Sequence, residues 1–380
     1  MRETELRKLI AEEFLSVIAD PRVERTRKHP LETILIVSLL AVICGADSFV
    51  AIEHYATAQQ EWLGTFLDMR GGVPSHDTIG RVFAALNPMM LAEAFRRWTA
   101  AMATFSKEKL IAIDGKTLRG AFKHAGDGVF VHMVSAWSAM NGVVLGQVKT
   151  DEKSNEITAI PALLDLLDVK DSLVTIDAAG TQTPIAAKIV DKGGDYFLAV
   201  KGNQSKLHDA VVEHFLGTER EHTRVGFWES KEDKLQHGRR EVRRAWVSND
   251  IDEIPTAERW VGLKTLVRIE STRNVNGEES IENRFYISSR GLSASEALQA
   301  SRGHWGIENQ LHWVLDVAFR EDDCRVRAGN AAANLSAVRQ LALGLLKQRT
   351  EKKCGIKNRR LCAGWEPNFL LRVIGLNPSD

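Results

Sequence analysis

Two short apolar runs, each followed directly by an aspartate, constrain the fold of this chain more than any other feature. Residues 110–113 precede Asp114, and residues 173–176 precede Asp177. A four-residue apolar run closed by a turn signal, here Gly115 after the first aspartate, is typical of a strand that is buried on both faces. We therefore expect both aspartates to end strands at the rim of a sheet.

The segments around these two runs alternate between strand and helix patterns. Residues 129–140 and 143–148 predict a hairpin closed by Asn141-Gly142, a strong turn signal. Residues 156–167 have helical spacing, and Asn155 is predicted as the N-cap. The apolar face of that helix comprises Ile157, Ile160, Leu163, Leu164 and Leu167. A helix at 184–192 and a strand at 196–200 follow.

This order of elements indicates the fold class. A three-stranded hairpin followed by helix, strand, helix and strand is the arrangement of an RNase H-like mixed sheet, an α/β fold with flanking helices. Consecutive strands joined through a helix favour parallel pairing. Asp114 and Asp177 are therefore expected to end adjacent strands on the same rim.

The rest of the chain predicts three further regions around this core of residues 106–205. Residues 1–105 form an all-helical domain, in which the apolar run 34–44 is too short to span a bilayer and predicts a buried helix. Residues 74–83 resemble half of a helix-turn-helix, although a plain helical bundle fits them as well. Residues 206–290 form a β-rich insertion, and 291–380 form the second part of the core with a long helix from 293 to 319.

The insertion combines aromatic and basic residues, as surfaces that stack on unpaired bases do. Alternatively, the tryptophans fill a small core of the insertion itself. The residues concerned are Trp228, Trp246, Trp260, Arg239, Arg240, Arg243 and Arg244.

Charge and cysteine content narrow the environment of the chain. Lys+Arg and Asp+Glu are both 50, so the overall charge indicates no partner. Residues 339–372 contain nine Lys or Arg against two Glu, which suits a phosphate backbone or a solvated surface equally. The four cysteines have no zinc spacing, and no leader segment is evident, so we expect reduced thiols in the cytoplasm.

Three carboxylates fit the chemistry of phosphodiester cleavage and strand transfer. That chemistry uses two divalent cations, and Mg²⁺ prefers carboxylate oxygen. Asp114, Asp177 and Glu308 come from two strand ends and a helix, and Asp114 would bridge the two metals. Gly115-Lys-Thr117 imitates a phosphate-binding loop, but position 110 is Leu where that motif requires Gly.

A zinc site is the alternative use of Glu308. His304, Glu308 and His312 are spaced i, i+4, i+8 on the predicted helix and could bind zinc together. This arrangement would leave the two strand aspartates without a role, so the three-carboxylate hypothesis accounts for more of the sequence.

At these residues the chain resembles bacterial insertion-sequence transposases of the ISAs type, which include the H-repeat-associated proteins. Four motifs carry the resemblance, and it extends over nearly the whole chain. They are residues 112–120 (AIDGKTLRG), 175–182 (TIDAAGTQ), 200–204 (VKGNQ) and 302–316 (RGHWGIENQLHWVLD), the last continuing to residues 319–322 (FRED).

The resemblance implies a DDE triad of Asp114, Asp177 and Glu308 that holds two Mg²⁺ ions, for which Mn²⁺ may substitute. It also implies binding to terminal inverted repeats and target DNA as a homodimer or larger assembly, in a nucleoid-associated cytoplasmic protein with no membrane contact. The expected DNA-binding residues are Lys116, Arg119, Lys201, Asn203, Gln204, Arg239, Arg240, Trp260, Arg302, His304, Asn309 and His312. A related group carries Tyr, Arg and Lys around its glutamate, where this chain has Ser301, His304 and Leu315.

Three functions remain open from the sequence. The first is a DNA transposase that performs metal-dependent cleavage and strand transfer. The second is a domesticated DNA-binding or recombination-accessory protein of the H-repeat-associated kind. The third is a structure-specific DNA nuclease on the same fold. The presence of all three carboxylates favours the first.

Overall fold

The computed structural model describes residues 18–102, 110–121, 131–150, 156–217, 228–236, 239–252, 254–275 and 277–375. The chain divides into two compact units. The first comprises residues 1–106, 115–155 and 308–380, and the second comprises residues 107–114 and 156–307. Asp114 and Asp177 therefore belong to the second unit, and Glu308 belongs to the first.

From residue 110 to 217 the described strands and helices follow the order that the sequence predicts, whereas the sequence predicts no separate strands at 228–236 and 239–248. The N-terminal elements are α1 (Leu31–Ile43), α2 (Phe49–Ala58), α3 (Gln60–Leu63), α4 (His76–Ala85), α5 (Pro88–Met102), β1 (Leu110–Leu118), β2 (Val131–Ser138) and β3 (Val143–Lys149). The central elements are α6 (Glu156–Leu166), β4 (Leu173–Ile176), α7 (Thr183–Asp191), β5 (Asp195–Val200), α8 (Ser205–Gly217), β6 (Trp228–Gln236), β7 (Arg239–Ser248), β8 (Thr265–Val275) and β9 (Glu278–Ser288). The C-terminal elements are α9 (Ala294–Ile307), a π-helical turn (Glu308–His312), α10 (Trp313–Phe319), α11 (Ala331–Lys347), α12 (Ile356–Trp365) and α13 (Pro367–Val373).

The first unit is organised around α11. Every residue of α11 from 331 to 346 is buried, as expected of a helix with apolar or small residues on all faces. This helix packs against α1, α4, α5 and β3. The side-chain amide of Asn334 donates to the carbonyl oxygens of Phe83 (2.7 Å) and Leu86 (3.0 Å), which are among the last carbonyls of α4. These bonds satisfy groups that a helix end leaves without partners.

The predicted buried helix of residues 34–44 is confirmed as α1. Pro30 precedes its first residue, and Gly45 follows it with a φ of 109°, a conformation that favours glycine. Nearly all side chains of α1 are buried. In the portion of the chain that is described, no helix combines the length and the apolar character needed to cross a bilayer.

The hairpin predicted at Asn141-Gly142 is also confirmed. β2 and β3 pair antiparallel, and the pairing closes at Ser138 and Val143. Gly142 has a φ of 65°, as a tight hairpin turn requires. A bulge shifts the register between Ala136 and Trp137. The predicted start of this strand at residue 129 lies outside the described residues.

The sheet is mixed, as the sequence predicts. In the first unit the strand order is β3-β2-β1, and in the second it is β1-β4-β5-β9-β8-β7-β6, with β1 contributing residues to both. β1, β4 and β5 are parallel neighbours, whereas β5–β9 and the later pairs are antiparallel. The order β3-β2-β1-β4-β5 is that of an RNase H-like α/β fold.

The strands of residues 206–290 continue this sheet beyond β5. The sequence predicts strands at 260–269 and 284–288, and the structure gives the longer β8 and β9, which pair along their whole length. Gly277, with a φ of 91°, lies in the turn between them. The boundaries assigned to this insertion and to the other predicted domains remain predictions.

Two local predictions are wrong. β1 does not end at Asp114. Residues 115–118 also adopt strand geometry, and the strand continues to Leu118. Ile157 is 37% exposed and does not belong to the buried face of α6, whereas Ile160, Leu163 and Leu164 do. The predicted cap Asn155 lies outside the described residues.

Candidate active site

Asp114 and Asp177 occupy equivalent positions on neighbouring parallel strands. The register of β1 and β4 pairs Leu110 with Leu173 and ends with Ile113 opposite Ile176. Each aspartate is the next residue after that last pair. The main chain therefore places the two carboxylates at the same edge of the second unit, although β1 itself continues further.

A short loop after β4 holds Asp177. Its carboxylate oxygen Oδ1 accepts a hydrogen bond of 3.1 Å from the backbone N–H of Gly180. The hydroxyl of Thr181 is 2.9 Å from the Asp177 carbonyl oxygen and 2.7 Å from the Ala199 carbonyl oxygen. The loop is thereby joined to its own start and to β5.

Close packing accounts for the glycine of this loop. A Cβ atom on Gly180 would lie 2.5 Å from Cγ2 of Ile176 and 2.6 Å from Cδ1 of Ile160. No such contact is tolerated without movement, so any larger residue would displace the loop from α6 and β4. The TIDAAGT motif thus encodes a loop of defined shape behind Asp177.

Asn203 and Gln204 support the same loop from the segment after β5. The side-chain amide of Asn203 donates to the Ala178 carbonyl oxygen at 2.6 Å. That of Gln204 donates to the Thr181 carbonyl oxygen, also at 2.6 Å. Both residues are expected from the sequence to bind DNA. In the structure their side-chain amides donate to main-chain carbonyl oxygens of the same chain.

The surroundings of Asp177 shift the pKa of its carboxyl upward. Partial burial raises the pKa of this carboxyl, and the negative charges of Glu156 and Asp114 raise it further. The hydrogen bond from Gly180 and the charge of His304 act in the opposite direction without reversing the shift. Two carboxylates that repel each other in a partly buried position can accommodate a cation between or beside them.

His304 connects α9 to the strand that carries Asp177. Its Nδ1 lies 3.1 Å from the hydroxyl oxygen of Thr175, and Thr175 is 1% exposed on β4. This contact packs His304 against β4 within the second unit. Its predicted role at phosphate, like those of Arg302, Asn309 and His312, remains a prediction.

Glu308 is the first residue of the π-helical turn. The sequence predicts an uninterrupted α-helix, but the wider turn Glu308–His312 separates α9 from α10. Glu308 is exposed, whereas Leu311 in the same turn is fully buried. Such single π-turns within helices occur frequently at functional sites. No sequence signal in this segment indicates the wider π-helical turn.

The predicted DNA-contact residues differ in how much of their side chains is exposed to solvent. Lys201 and Arg240 are exposed, and Arg119 has 79% of its side chain exposed beside Asp322. Lys116 has only 11% of its side chain exposed and pairs with carboxylates, so little of its ammonium group is available to a phosphate. The side chain of Arg239 lies outside the described residues.

Trp260, another of the expected DNA-binding residues, is buried. It is 4% exposed, so its ring is not available for stacking on a base. This outcome agrees with the alternative in which insertion tryptophans fill a core. Trp246 is partly buried, and the guanidinium carbon of Arg268 lies 4.7 Å from its ring centroid. The side chain of Trp228 is not among those described.

The basic C-terminal segment uses much of its charge internally. Arg339 and Arg360 are 2% and 3% exposed, and Arg360 donates to the Val42 carbonyl oxygen. Lys352 lies 2.6 Å from a carboxylate oxygen of Glu366. The excess charge counted in the sequence therefore overstates what this segment offers to phosphate. Its exposed lysines are Lys353 and Lys357.

The donor atoms at the Asp114–Asp177 edge fit a hard divalent cation. Both side chains offer carboxylate oxygens, which Mg²⁺ and Mn²⁺ prefer, and their mutual repulsion would be relieved by positive charge. Within the described ranges, no cluster of three or more His, Cys, Asp or Glu side chains is positioned to hold a metal ion.

The RNase H-like sheet, with Asp114 within β1 and Asp177 directly after β4, is compatible with enzymes that cleave or join nucleic acids. The comparison with known families is more specific. Residues 105–345 match the family described as "Transposase DDE domain", and residues 12–99 match its associated N-terminal family. The chain belongs to the DDE transposase family.

Curated relatives agree with this assignment. The chain is 45% identical to "Putative transposase YncI" of Escherichia coli O157:H7, over 92% of this chain and 90% of the relative. It is 40% identical to "H repeat-associated putative transposase YhhI" of E. coli K12, over 97% and 98% of the two chains. Members of this family generally use divalent metal ions.

A solved structure of a piggyBac transposase synaptic complex with hairpin DNA has a TM-score of 0.43 to this chain at 9% sequence identity. The match covers 98% of this chain and 83% of that chain.

Proposed function

We propose that this protein is a DNA transposase that cleaves the ends of an insertion sequence and joins them to target DNA. The observation that supports this most directly is the β1–β4 register, which brings Asp114 and Asp177 to one edge of the sheet. Glu308, at the start of the π-helical turn, is proposed as the third member of a DDE triad.

Asp114, Asp177 and Glu308 would hold two Mg²⁺ ions, for which Mn²⁺ can substitute. When bound, such ions activate the attacking hydroxyl and stabilise the leaving oxygen. The protein's own contribution is to orient its carboxylates before substrate arrives. For Asp177 this orientation comes from the Gly180 N–H and from the loop that Asn203 and Gln204 support.

DNA is the proposed partner, in the form of terminal inverted repeats and a target duplex. Exposed Lys201 and Arg240 are proposed to contact phosphate, and each such contact would contribute to the salt dependence of binding. We further propose that the active form is a homodimer or larger assembly on DNA, at the bacterial nucleoid.

The test uses the purified full chain, Mg²⁺ or Mn²⁺, and DNA that carries candidate inverted repeats. Asp114→Asn, Asp177→Asn and Glu308→Gln are each expected to lower strand joining by about 10³-fold or more, because each removes a carboxylate that acts in the transition state. DNA affinity should persist in all three. Asp191→Asn, which changes an exposed acid in the second unit, is the matched control.

The outcomes separate the candidate functions. Metal-dependent joining by the wild type supports a transposase. Cutting without joining would instead indicate a nuclease, and binding that Asp177→Asn leaves unchanged, with no cutting, would indicate a recombination-accessory protein. Wild-type joining rates in any of the three variants would remove that residue from the proposed triad.

A further inference from the structure

Lys116 lies two residues beyond Asp114 on β1, in a part of the strand that belongs to the first unit. Its ammonium group forms an ion pair with the Asp316 carboxylate and lies 3.0 Å from Oε2 of Glu321. It also donates to the main-chain carbonyl oxygen of His312, at 3.3 Å. A lysine ammonium has three N–H donors, and three acceptors surround this one.

This arrangement leaves Lys116 little capacity to bind a phosphate. Only 11% of its side chain is exposed. A phosphate contact would require breaking at least one of these three interactions. Arg119, which is three residues further along, has 79% of its side chain exposed and lies 3.7 Å from the Asp322 carboxylate. The two basic residues of one motif therefore have different environments.

Glu321 is the most deeply buried partner of Lys116. It is 1% exposed, and the Arg339 guanidinium lies 3.9 Å from its other oxygen. Burial by itself raises the pKa of this carboxyl, but the charges of Lys116 and Arg339 outweigh burial and leave the pKa below its ordinary value. Glu321 is therefore held as a carboxylate by its two cationic neighbours.

The backbone before Glu321 adopts an uncommon conformation to reach this position. Arg320 ends α10 with a φ of 51°, in the left-handed region that non-glycine residues rarely occupy. The N–H of Glu321 then bonds to the Leu315 carbonyl oxygen at 3.2 Å. A left-handed arginine is less stable than a helical one because its Cβ lies too close to the following carbonyl oxygen. The buried ion pair of Glu321 is a contact that can offset this cost.

Backbone packing beside Lys116 joins the same two segments. A Cβ atom on Gly120 would lie 2.8 Å from the Asp322 carbonyl oxygen, so the chain approaches this segment too closely for a side chain. Arg327 donates to the Gly120 carbonyl oxygen at 3.5 Å. Within the first unit, the part of the 112–120 motif from residue 115 onward thus packs against the segment around residues 319–322.

We propose that Lys116 is a positioning residue for Glu308. Its bond to the His312 carbonyl holds the last residue of the π-helical turn, and its ion pairs with Asp316 and Glu321 hold the helix and turn that follow. Glu308 is the first residue of that same turn. This inference rests on the proposed function for the role of Glu308, but the positioning itself can be measured without activity.

The experiment compares four variants of the full chain. Lys116→Met removes the ammonium group, and Lys116→Arg is the conservative replacement. Lys116→Met combined with Glu321→Gln also removes the buried carboxylate that the single change leaves with Arg339 as its neighbour, so it helps to separate stability from positioning. Arg119→Gln is the matched control, because it removes a neighbouring cation that is largely exposed.

The first measurement is amide hydrogen exchange over residues 308–316 without DNA. Loss of one charged hydrogen bond should raise exchange there about tenfold or more in Lys116→Met, and less than about twofold in Arg119→Gln. The double variant should recover part of the melting temperature, because Glu321→Gln removes the carboxylate but leaves Arg339 buried, and it should not recover this protection. Protection equal to wild type in the double variant would overturn the proposal, since the missing His312 contact would then have no effect.

The second measurement is metal-dependent DNA cleavage. Displacement of a catalytic group by about 1 Å can lower a rate by about 100-fold, and we expect a loss of this size in both variants that contain Lys116→Met. Lys116→Arg should retain part of the rate. DNA affinity and its salt dependence should be unchanged. A salt slope lowered by about one in Lys116→Met would indicate a phosphate contact and contradict the proposal.

The two proposals fail differently. If wild-type protein neither cuts nor joins DNA, the proposed function fails, whereas the exchange data still test whether Lys116 holds the π-helical turn. If wild type is active and Lys116→Met retains both full activity and full protection, only the positioning role fails.

Discussion

The two regions that carry the proposed catalytic acids are held in different ways. In the second unit, the parallel register of β1 and β4 places Asp114 and Asp177, and short hydrogen bonds between side-chain amides and main-chain carbonyls shape the loop after Asp177. In the first unit, Lys116 bonds to the last residue of the turn that starts at Glu308 and pairs with two carboxylates beyond that turn.

This difference has a physical consequence. A strand register can shift only if every paired residue changes face, so one substitution rarely alters it. A buried ion pair depends on each of its members, and removing one leaves an uncompensated charge. The position of Asp177 should therefore depend on packing, whereas that of the Glu308 turn should depend on charge.

Gly180→Ala should have the largest effect on the Asp177 side of this comparison. The added Cβ would contact Ile176 and Ile160 at about 2.5 Å, and overpacking of this kind typically lowers the free energy of unfolding by about 1–3 kcal/mol. We also expect a loss of cleavage activity by about 100-fold, because the loop moves with Asp177. Chemical denaturation and single-turnover cleavage are the measurements.

Gly202→Ala is the matched control for Gly180→Ala, since a Cβ at Gly202 meets no atom within 4 Å. It should leave stability within about 0.5 kcal/mol of wild type. Equal effects of the two substitutions would show that the Asp177 loop does not depend on close packing.

A smaller effect should distinguish Asn203 from its neighbour Lys201. Asn203→Ala removes the bond to the Ala178 carbonyl and should slow cleavage by about tenfold, with no change in the salt dependence of DNA binding. Lys201→Ala should weaken binding and lower the salt slope by about one, as loss of one phosphate contact does. Fluorescence anisotropy at several salt concentrations measures both. A reduced slope for Asn203→Ala would restore its predicted role as a DNA contact.

The smallest effect concerns pH and stability on the Glu308 side. The pKa of Glu321 lies below its ordinary value of 4.5 in the folded chain, so the unfolded chain binds this proton more readily. The stabilisation is complete above pH 4.5 and is lost as the pH falls through the folded-state pKa. Below pH 4.5, the melting temperature of wild type should therefore fall relative to that of Lys116→Met/Glu321→Gln.

Glu61→Gln provides the comparison for this pH series, because Glu61 is an exposed acid of the same unit. Its melting temperature should follow that of wild type at every pH. A pH dependence of the double variant identical to that of wild type would show that the Glu321 ion pairs do not contribute to stability.

The sequence by itself determined the parts of this protein that depend on local pattern. The runs before Asp114 and Asp177, which are apolar at every position except Thr175, specify strands because consecutive apolar residues need burial on both faces. Asn141-Gly142 specifies a hairpin because few residues adopt its backbone angles. The family motifs contain the three proposed catalytic acids, Asp114, Asp177 and Glu308. The mixed sheet and the N-terminal helices followed from the same patterns.

Only the tertiary structure decided how charged and polar side chains are used. Lys116 meets Asp316 across 200 positions of sequence, and Trp260 and Arg360 are buried although their residue types suit a nucleic-acid surface. Local sequence carries no record of such distant partners. Burial of an ionic or aromatic group depends on which segments pack together, and the π-helical turn at Glu308 likewise has no local signature.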